Sequence, residues 1–133
     1  MEIKYIQNND INLIQHFQQQ EWEDIKEHYK FYIDSDFCYP IQLVKNSKIV
    51  SIGSLIVHND VAWLAHIITL PNYRRNGFAT LITRELIDIA DKNNCSTIYL
   101  IATEMGEILY KKLGFNEETK YLLFKNNTVK KSI

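Results

Sequence analysis

Two arginines, an asparagine and a glycine follow one another in the stretch "YRRNGFAT", at Arg74, Arg75, Asn76 and Gly77. This stretch lies between a run typical of a strand and a run typical of a helix. The first turn of a helix leaves backbone N–H groups unpaired and carries partial positive charge, so it attracts anions. Glycine permits positive φ and close approach of a ligand to the backbone, and arginines add charge. The pattern indicates a phosphate-binding turn; from these residues alone, an ordinary turn with solvated arginines is the alternative.

Composition and motifs exclude several other classes of protein. The chain has 133 residues and a formal net charge of -1, which predicts one domain and no general nucleic-acid or membrane partner. Neither the Walker pattern G-x-x-x-x-G-K-[ST] nor the dinucleotide pattern G-x-G-x-x-G occurs. The first residues lack the apolar stretch of a secretory signal. Cys38 and Cys95 are interpreted as buried free thiols of a cytoplasmic protein, and the four histidines show no zinc-ligand spacing with them.

The first half of the chain predicts one strand, one or two helices and a three-stranded meander. "EIKYIQ" alternates apolar and polar residues as a strand does, and Asn9–Phe31 is typical of one broken or two short helices with Asp10 as N-cap. "YIDSDFCYP" is interpreted as irregular. Short polar turns then separate "IQLVK", "IVSIGSLIV" and "VAWLAHIITL", which indicates antiparallel strands.

The second half changes to helical spacing after the basic turn. Apolar residues recur every three or four positions from Phe78 and stop near "KNN", which predicts an amphipathic helix. "TIYLIA" is typical of a buried strand, and "TEMGEILYKKLGF" of a helix with Thr103 as N-cap and Gly114 at C′. "TKYLLFKN" predicts a last strand. The order β, α, α, β, β, β, α, β, α, β indicates an α/β domain around one mixed sheet.

Two blocks of sequence resemble the Gcn5-related N-acetyltransferase (GNAT) family. "ITLPNYRRNGFAT" is similar to its pyrophosphate motif [Q/R]-x-x-G-x-[G/A], with Arg74, Gly77 and Ala79 at the fixed positions. "IATEMGEILYKKLGF" is similar to its late strand–helix segment ending in "LYxxLGF". The resemblance covers essentially the whole chain and is strongest over 49–115. It implies a single GNAT-like domain over 1–133, of α/β (α+β) class: a mixed, mostly antiparallel central sheet flanked by helices. A bulge would splay one central strand from the late strand, and this pair would form the acyl-CoA cleft.

The resemblance also assigns roles to individual residues. A backbone N–H, assigned to Ile68, would polarise the thioester carbonyl, and Tyr110 would share a proton with the departing sulfur. The base is left open between His66, an acid of the early helices and water, because Trp63 stands where some relatives carry a glutamate. Thr103 stands where many relatives have an asparagine that touches the cofactor arm. The residues implied to bind acetyl-CoA are Ile67, Ile68, Thr69, Arg74, Arg75, Asn76, Gly77, Phe78, Ala79, Thr80, Thr103 and Tyr110.

The function implied is transfer of an acetyl group from acetyl-CoA to a primary amine by direct attack, without an acyl-enzyme. The alternative is an acyl-CoA-binding regulatory or interaction module with little turnover; a longer acyl group is a further option. The acceptor, a small-molecule or peptide amine, would lie against the early helices, "FYIDSDFCYP" and the hairpin of the third and fourth strands. The acids Glu21, Glu23, Asp24 and Glu27 either attract a cationic amine or form a solvated face. The aromatic residues there, including Tyr29, Tyr32 and Tyr39, either form apolar walls or cap the core. We also expect a possible homodimer, a cytoplasmic location and no metal site.

Overall fold

The structure is a computed structural model, and it describes residues 1–15, 17, 25–101, 111–117 and 123–126. These residues form a seven-stranded sheet with the strand order β1-β2-β3-β4-β5-β7-β6. The β4–β5 pair is parallel and all other pairs are antiparallel. The strands are β1 (Glu2–Tyr5), β2 (Cys38–Lys45), β3 (Lys48–His58), β4 (Val61–Thr69), β5 (Thr97–Ile101), β6 (Asn116–Glu117) and β7 (Leu123–Asn126). The α-helices are α1 (Ile11–Ile14), α2 (Ile25–Asp34) and α3 (Phe78–Lys92), with 3-10 turns at Asn8–Asp10 and Pro71–Tyr73.

The meander of β2, β3 and β4 is confirmed, and its turns have a local cause. Asn46, Ser47 and Asn59 have φ angles of 52, 65 and 56 degrees, and tight hairpin turns require such left-handed residues. β2 begins at Cys38, inside the segment interpreted as irregular. Pro40 obscured this start, because proline cannot donate to a ladder. Here its carbonyl oxygen accepts the N–H of Ile6 at 3.0 Å, which extends the pairing with β1.

Two apolar cores lie on the two faces of the sheet. The amphipathic helix α3 begins at Phe78 as predicted and covers β2, β3 and β4 on one face. Its buried residues are Phe78, Ile82, Thr83, Leu86, Ile89 and Ala90. On the other face lie α1 and α2. That second core includes Ile14, Phe17, Ile25, Tyr29 and Tyr32. The strand pair β4–β5 therefore lies in a sheet that is packed on both faces.

Asp10 departs from its predicted role as an N-cap. It precedes α1 as predicted, but its side chain makes no capping bond to that helix. Its Oδ2 instead accepts the N–H of Gln7 at 2.9 Å and Nε2 of Gln42 at 3.0 Å, so it fastens the preceding turn to β2. The helix α2 continues to Asp34, farther than predicted.

The late part of the chain is described only in segments. Gly114 has φ 95 degrees, the left-handed geometry expected of a C′ glycine, and its N–H donates to Lys111 O at 3.1 Å. The short strand β6 was not predicted, while β7 lies within the predicted last strand. Thr103 and Tyr110 lie outside the described residues. No helix among the described segments is both long and apolar enough to cross a membrane.

Candidate active site

A bulge interrupts the β3–β4 ladder, as the resemblance implied. Ile52 pairs with Ile68, but Ser54 pairs with Ala65, so two residues of β4 face one residue of β3. The inserted position falls at His66, whose φ is 48 degrees, a left-handed value that is rare for a residue with a side chain. Beyond the bulge, Ser51 Oγ bonds Thr69 Oγ1 at 2.9 Å and Ile68 O at 3.1 Å, which fixes the new register.

The strands β4 and β5 separate at the level of this bulge. Their parallel pairing runs from Val61–Thr97 to Trp63–Tyr99 and ends there. Farther on, β5 pairs with β7 as far as Ile101, while β4 continues along β3 to Thr69. The facing edges of residues 64–69 and 100–101 thus make no ladder with each other, and an extended chain can insert between them. The expected splayed pair is confirmed.

The register also decides which amides face this cleft. Leu70 N–H donates to Val50 O at 3.0 Å. Bonded and non-bonded pairs alternate in an antiparallel ladder, so the N–H of Ile68, two residues earlier, also faces β3. The N–H groups of Ile67 and Thr69 then face the β5 side. Ile67, which directly follows the bulge, and Thr69 are therefore candidates for the oxyanion contact alongside Ile68, the residue that the resemblance implied.

A compact basic loop follows the cleft edge of β4. Arg74 Nε donates to Thr69 O at 3.0 Å, so this guanidinium is tied to the end of β4. Asn76 Nδ2 donates to the main-chain oxygens of Tyr73 and Arg74, each at 3.1 Å. Asn76 thus has a visible role in closing the loop.

The start of α3 has the properties of an anion site. Arg75 and Gly77 have φ angles of 64 and 80 degrees, and Gly77 is the residue before the helix. The N–H groups of Phe78, Ala79 and Thr80 belong to the first turn, so they have no partner inside the helix. Among the described residues, no side chain caps this helix start either. A Cβ on Gly77 would meet no atom within 4 Å, which leaves open space over the turn. A diphosphate fits such a cradle by charge and by hydrogen-bond donors.

Two lysines flank the loop and were missed in the sequence. Lys45 Nζ lies 5.4 Å from the centre of the Phe78 ring, and Lys48 Nζ lies 5.5 Å from that of Tyr73. They come from the β2–β3 hairpin, which reaches the same end of the sheet as the C-terminus of β4 because β3 and β4 are antiparallel. The two lysines extend the positive potential of the loop. The sequence signal is the pair of lysines bracketing "NS", which needs the topology before it has meaning.

His66 is held by three residues of α2. Tyr29 Oη donates to His66 O at 2.8 Å, and Tyr32 Oη lies 2.7 Å from His66 Nδ1. The ring of His28 stacks on the ring of His66 at 4.5 Å. Both tyrosines are core residues, with exposures of 0% and 4%, yet their hydroxyls reach the bulge. His66 therefore lies at the cleft. Its neighbours include Tyr29 and Tyr32, for which the sequence left open whether they form an acceptor wall or cap the core.

Exposed aromatic rings lie beside this group. Trp63, 37% exposed, stacks on Tyr99 at 4.9 Å, where β4 and β5 still pair. Phe31 and Phe37 are about half exposed and lie 6.0 Å apart. Tyr39 is different, because it packs in the α3-side core and its hydroxyl donates to Asn93 Oδ1 at 2.9 Å. Tyr39 therefore does not contribute to an acceptor wall.

The remaining candidates are the acidic residues of the early helices and the two cysteines. Glu27 is an exposed residue of α2, while residues 21–24 lie outside the described segments. Cys38 and Cys95 are buried, and burial raises the pKa of both thiols, which disfavours the thiolate that nucleophilic catalysis needs. The described segments contain no group of three or more His, Cys, Asp or Glu side chains that could hold a metal ion.

Comparison with known proteins shows the family to which this fold belongs. Residues 8–115 match the acetyltransferase (GNAT) family, and the chain belongs to this family. It is 33% identical over 81 residues to the [ribosomal protein bS18]-alanine N-acetyltransferase of Escherichia coli, an overlap of 59% of this chain and 55% of that protein. The chain thus spans about half the length of the curated relatives it matches.

Solved structures agree with the fold. The ribosomal-protein-S18-alanine N-acetyltransferase from Escherichia coli superposes with a TM-score of 0.82 at 23% identity, covering 94% of this chain and 92% of that chain. The PaiA N-acetyltransferase from Thermoplasma acidophilum, in complex with coenzyme A, gives a TM-score of 0.85 at 15% identity, covering 95% and 98%. At these identities the likeness supports the fold only.

Proposed function

We propose that the protein is an N-acetyltransferase that moves an acetyl group from acetyl-CoA to a primary amine by direct attack. One observation carries the proposal: an uncapped helix start behind a left-handed glycine adjoins the open end of a splayed β4–β5 pair. The first element suits a pyrophosphate and the second suits the extended pantetheine arm. In a member of the GNAT family, these two elements in sequence support acetyl-CoA as the cosubstrate.

The residues of the loop bind the charged part of the cosubstrate in this proposal. The amides of residues 77–80 face the pyrophosphate, and Arg74, Arg75 and the lysines of the β2–β3 hairpin supply positive charge. Asn76 keeps the loop in shape through its two bonds to main-chain oxygens. The main-chain groups of Ile67 and Thr69 bind the pantetheine arm, which takes the place of a neighbouring strand.

The chemistry forms one bond and breaks one. The amine nitrogen attacks the carbonyl carbon, the carbon–sulfur bond breaks, and the electron pair leaves on sulfur. The amide of Ile67 stabilises the charge that develops on the carbonyl oxygen. Tyr110 gives a proton to the departing sulfur, and His66 or water takes the proton lost by the amine. The proposal uses no cysteine nucleophile, in keeping with the raised pKa values of both thiols.

The acceptor is proposed to lie between α2 and the edge of β4. The exposed rings of Phe31, Phe37 and Trp63 offer apolar area there, and Glu27 offers a negative charge for a protonated amine. The relative from Escherichia coli is named for N-acetylation of an alanine of ribosomal protein bS18. A peptide that begins with alanine is therefore the first acceptor to assay, followed by small amines. A cytoplasmic location remains part of the proposal, supported by two buried free cysteines.

Calorimetric titration with acetyl-CoA tests the cradle, with ATP and NAD as comparison ligands. We expect micromolar affinity for acetyl-CoA, near 8 kcal/mol. Gly77→Asp places a carboxylate against the pyrophosphate and should abolish binding, while Gly77→Ala separates backbone strain from charge. Asn94→Asp is the matched control, since it adds a carboxylate at another left-handed position, φ 60 degrees, beyond the C-terminus of α3. Equal affinity of wild type and Gly77→Asp would refute the proposed cradle.

A further inference from the structure

We propose that Tyr29 and Tyr32 are positioning residues for acyl transfer, because together they hold the bulge that aims the amide of Ile67 into the cleft. This inference rests on the proposed function. Neither tyrosine needs to touch a substrate. Each acts through His66, one on its main chain and the other on its ring.

The backbone of His66 requires such support. Its φ of 48 degrees is a left-handed conformation, which is uncommon for any residue other than glycine, although histidine, like asparagine and aspartate, adopts it more often than most. Residues in sparsely populated backbone regions persist only where the surrounding structure over-determines them. Here the carbonyl oxygen of His66 accepts from Tyr29 Oη at 2.8 Å, which constrains the orientation of the peptide between His66 and Ile67. That peptide contains the N–H of Ile67.

The ring of His66 is constrained separately. Tyr32 Oη lies 2.7 Å from Nδ1, and the ring of His28 covers one face at 4.5 Å. Tyr29 and Tyr32 also meet edge to face, with ring centres 5.2 Å apart. Since one turn of α2 supplies all three contacts and both tyrosines are buried, the bulge and α2 form one packed unit.

This unit links the acceptor side to the acyl side of the cleft. α2 carries the exposed ring of Phe31 on the proposed acceptor wall, and its buried tyrosines reach the bulge beneath the thioester. A displacement of α2 therefore changes the direction of the Ile67 amide. The proposed acceptor wall and the Ile67 amide are thus parts of the same packed unit.

Removal of single hydroxyl groups tests the inference. Tyr29→Phe and Tyr32→Phe keep the ring packing, and Tyr39→Phe is the matched control, because it loses a hydroxyl bond of 2.9 Å on the opposite face of the sheet. For each variant we would measure kcat and both KM values with acetyl-CoA and an alanine-initiated peptide. Amide hydrogen exchange would be measured on the same samples at Ile68 and Leu70, which follow the bulge and whose N–H groups face β3.

The expected result is a split between kinetic parameters. Tyr29→Phe and Tyr32→Phe should each lower kcat about 3- to 10-fold and speed exchange at Ile68 and Leu70, with KM for acetyl-CoA within about twofold of wild type. Tyr39→Phe should change neither kcat nor exchange at the bulge. If Tyr29→Phe and Tyr32→Phe both behave like Tyr39→Phe, the proposal is overturned.

A double-mutant cycle separates the two contacts. His66→Asn keeps a residue that tolerates the left-handed conformation and removes the ring. In that background Tyr32→Phe should lose most of its effect, whereas Tyr29→Phe should keep its effect, because the bond of Tyr29 is to a main-chain oxygen. Equal persistence of both effects would contradict the assignment. If wild type does not acetylate the peptide, the proposed function fails for that acceptor, while the exchange data still decide whether the tyrosines hold the bulge.

Discussion

Gly53 lies on β3 opposite the bulge and directly beneath α3. A Cβ added there would lie 2.7 Å from Ile82 Cγ2, 3.1 Å from Ile67 Cγ1 and 3.2 Å from Leu86 Cδ1. The shortest of these distances is below any ordinary carbon–carbon contact, and the side chain of Ile82 is fully buried in the core. Gly53→Ala therefore must move α3, Ile67 or both. Because Ile67 carries the amide assigned to the oxyanion, the substitution tests packing and function together.

The cost of this substitution is the difference of two opposing effects. Overpacking a well-filled core costs about 1–3 kcal/mol. Replacing glycine reduces the entropy of the unfolded chain and returns about 0.4–1 kcal/mol. With values near the middle of each range, the net loss of unfolding free energy is about 1–2 kcal/mol. With an unfolding entropy of about 2.1 cal/mol/K per residue over this chain, that loss lowers Tm by about 4–7 °C.

Urea and thermal unfolding would be measured for wild type, Gly53→Ala, Ile82→Leu and the double variant. The comparison gives the cost of Gly53→Ala and shows how much of it comes from the contact with Ile82. Ile82→Leu removes the Cγ2 methyl that causes the shortest contact and should itself cost less than about 1.5 kcal/mol. Gly53→Ala should cost at least about 0.5 kcal/mol less in the Ile82→Leu background than in wild type. A neutral or stabilising Gly53→Ala, or an equal cost in both backgrounds, would refute the reasoning.

Two further predictions concern the loop and the thiols. Asn76→Ala removes both bonds that close the basic loop, so acetyl-CoA affinity by calorimetry should fall about 3- to 10-fold, with Tm nearly unchanged because the site is exposed; an unchanged affinity would contradict its role. Cys38 and Cys95 should react with a disulfide reagent only after unfolding, and labelling of the folded protein within minutes would contradict their burial. Because burial raises the pKa of both thiols in the folded state, the stabilisation they contribute is complete below the unfolded thiol pKa of about 8.5 and is lost as pH rises through the folded values. The unfolding free energy in urea should accordingly fall as pH rises above about 8.5, and a rise there would contradict the direction of the shifts.

Features with a local cause could be predicted from the sequence. The turn asparagines, the helical spacing from Phe78 and the glycine before it each act within a few residues, and the structure has the corresponding hairpins, helix and left-handed turn. The resemblance added the bulge and the splayed strands, which no periodicity indicates. Asp10 shows the limit of a local rule, because a distant partner, Gln42, competes for the carboxylate.

The details of the site depend on register and topology. A bulge shifts every later pair by one residue, so our proposal of the Ile67 amide for the oxyanion, where the resemblance implied Ile68, needs the observed ladder. The contacts of Tyr29 and Tyr32 with His66 span 37 and 34 residues, and an aromatic residue in a helix indicates only burial. The hairpin lysines acquire a role only when antiparallel pairing brings them to the loop.

The most direct test of the central claim is to follow both products of one reaction. The protein would be incubated with acetyl-CoA and an alanine-initiated peptide, then with small amines, and the free CoA thiol and the acetylated amine would be quantified together. Our account predicts equal amounts of thiol and acetylated amine with an acceptor, little thiol without one, and slower turnover for Tyr110→Phe at unchanged acetyl-CoA affinity. Tight binding of acetyl-CoA without acetylation of any amine would contradict the account and would favour a CoA-binding module without turnover.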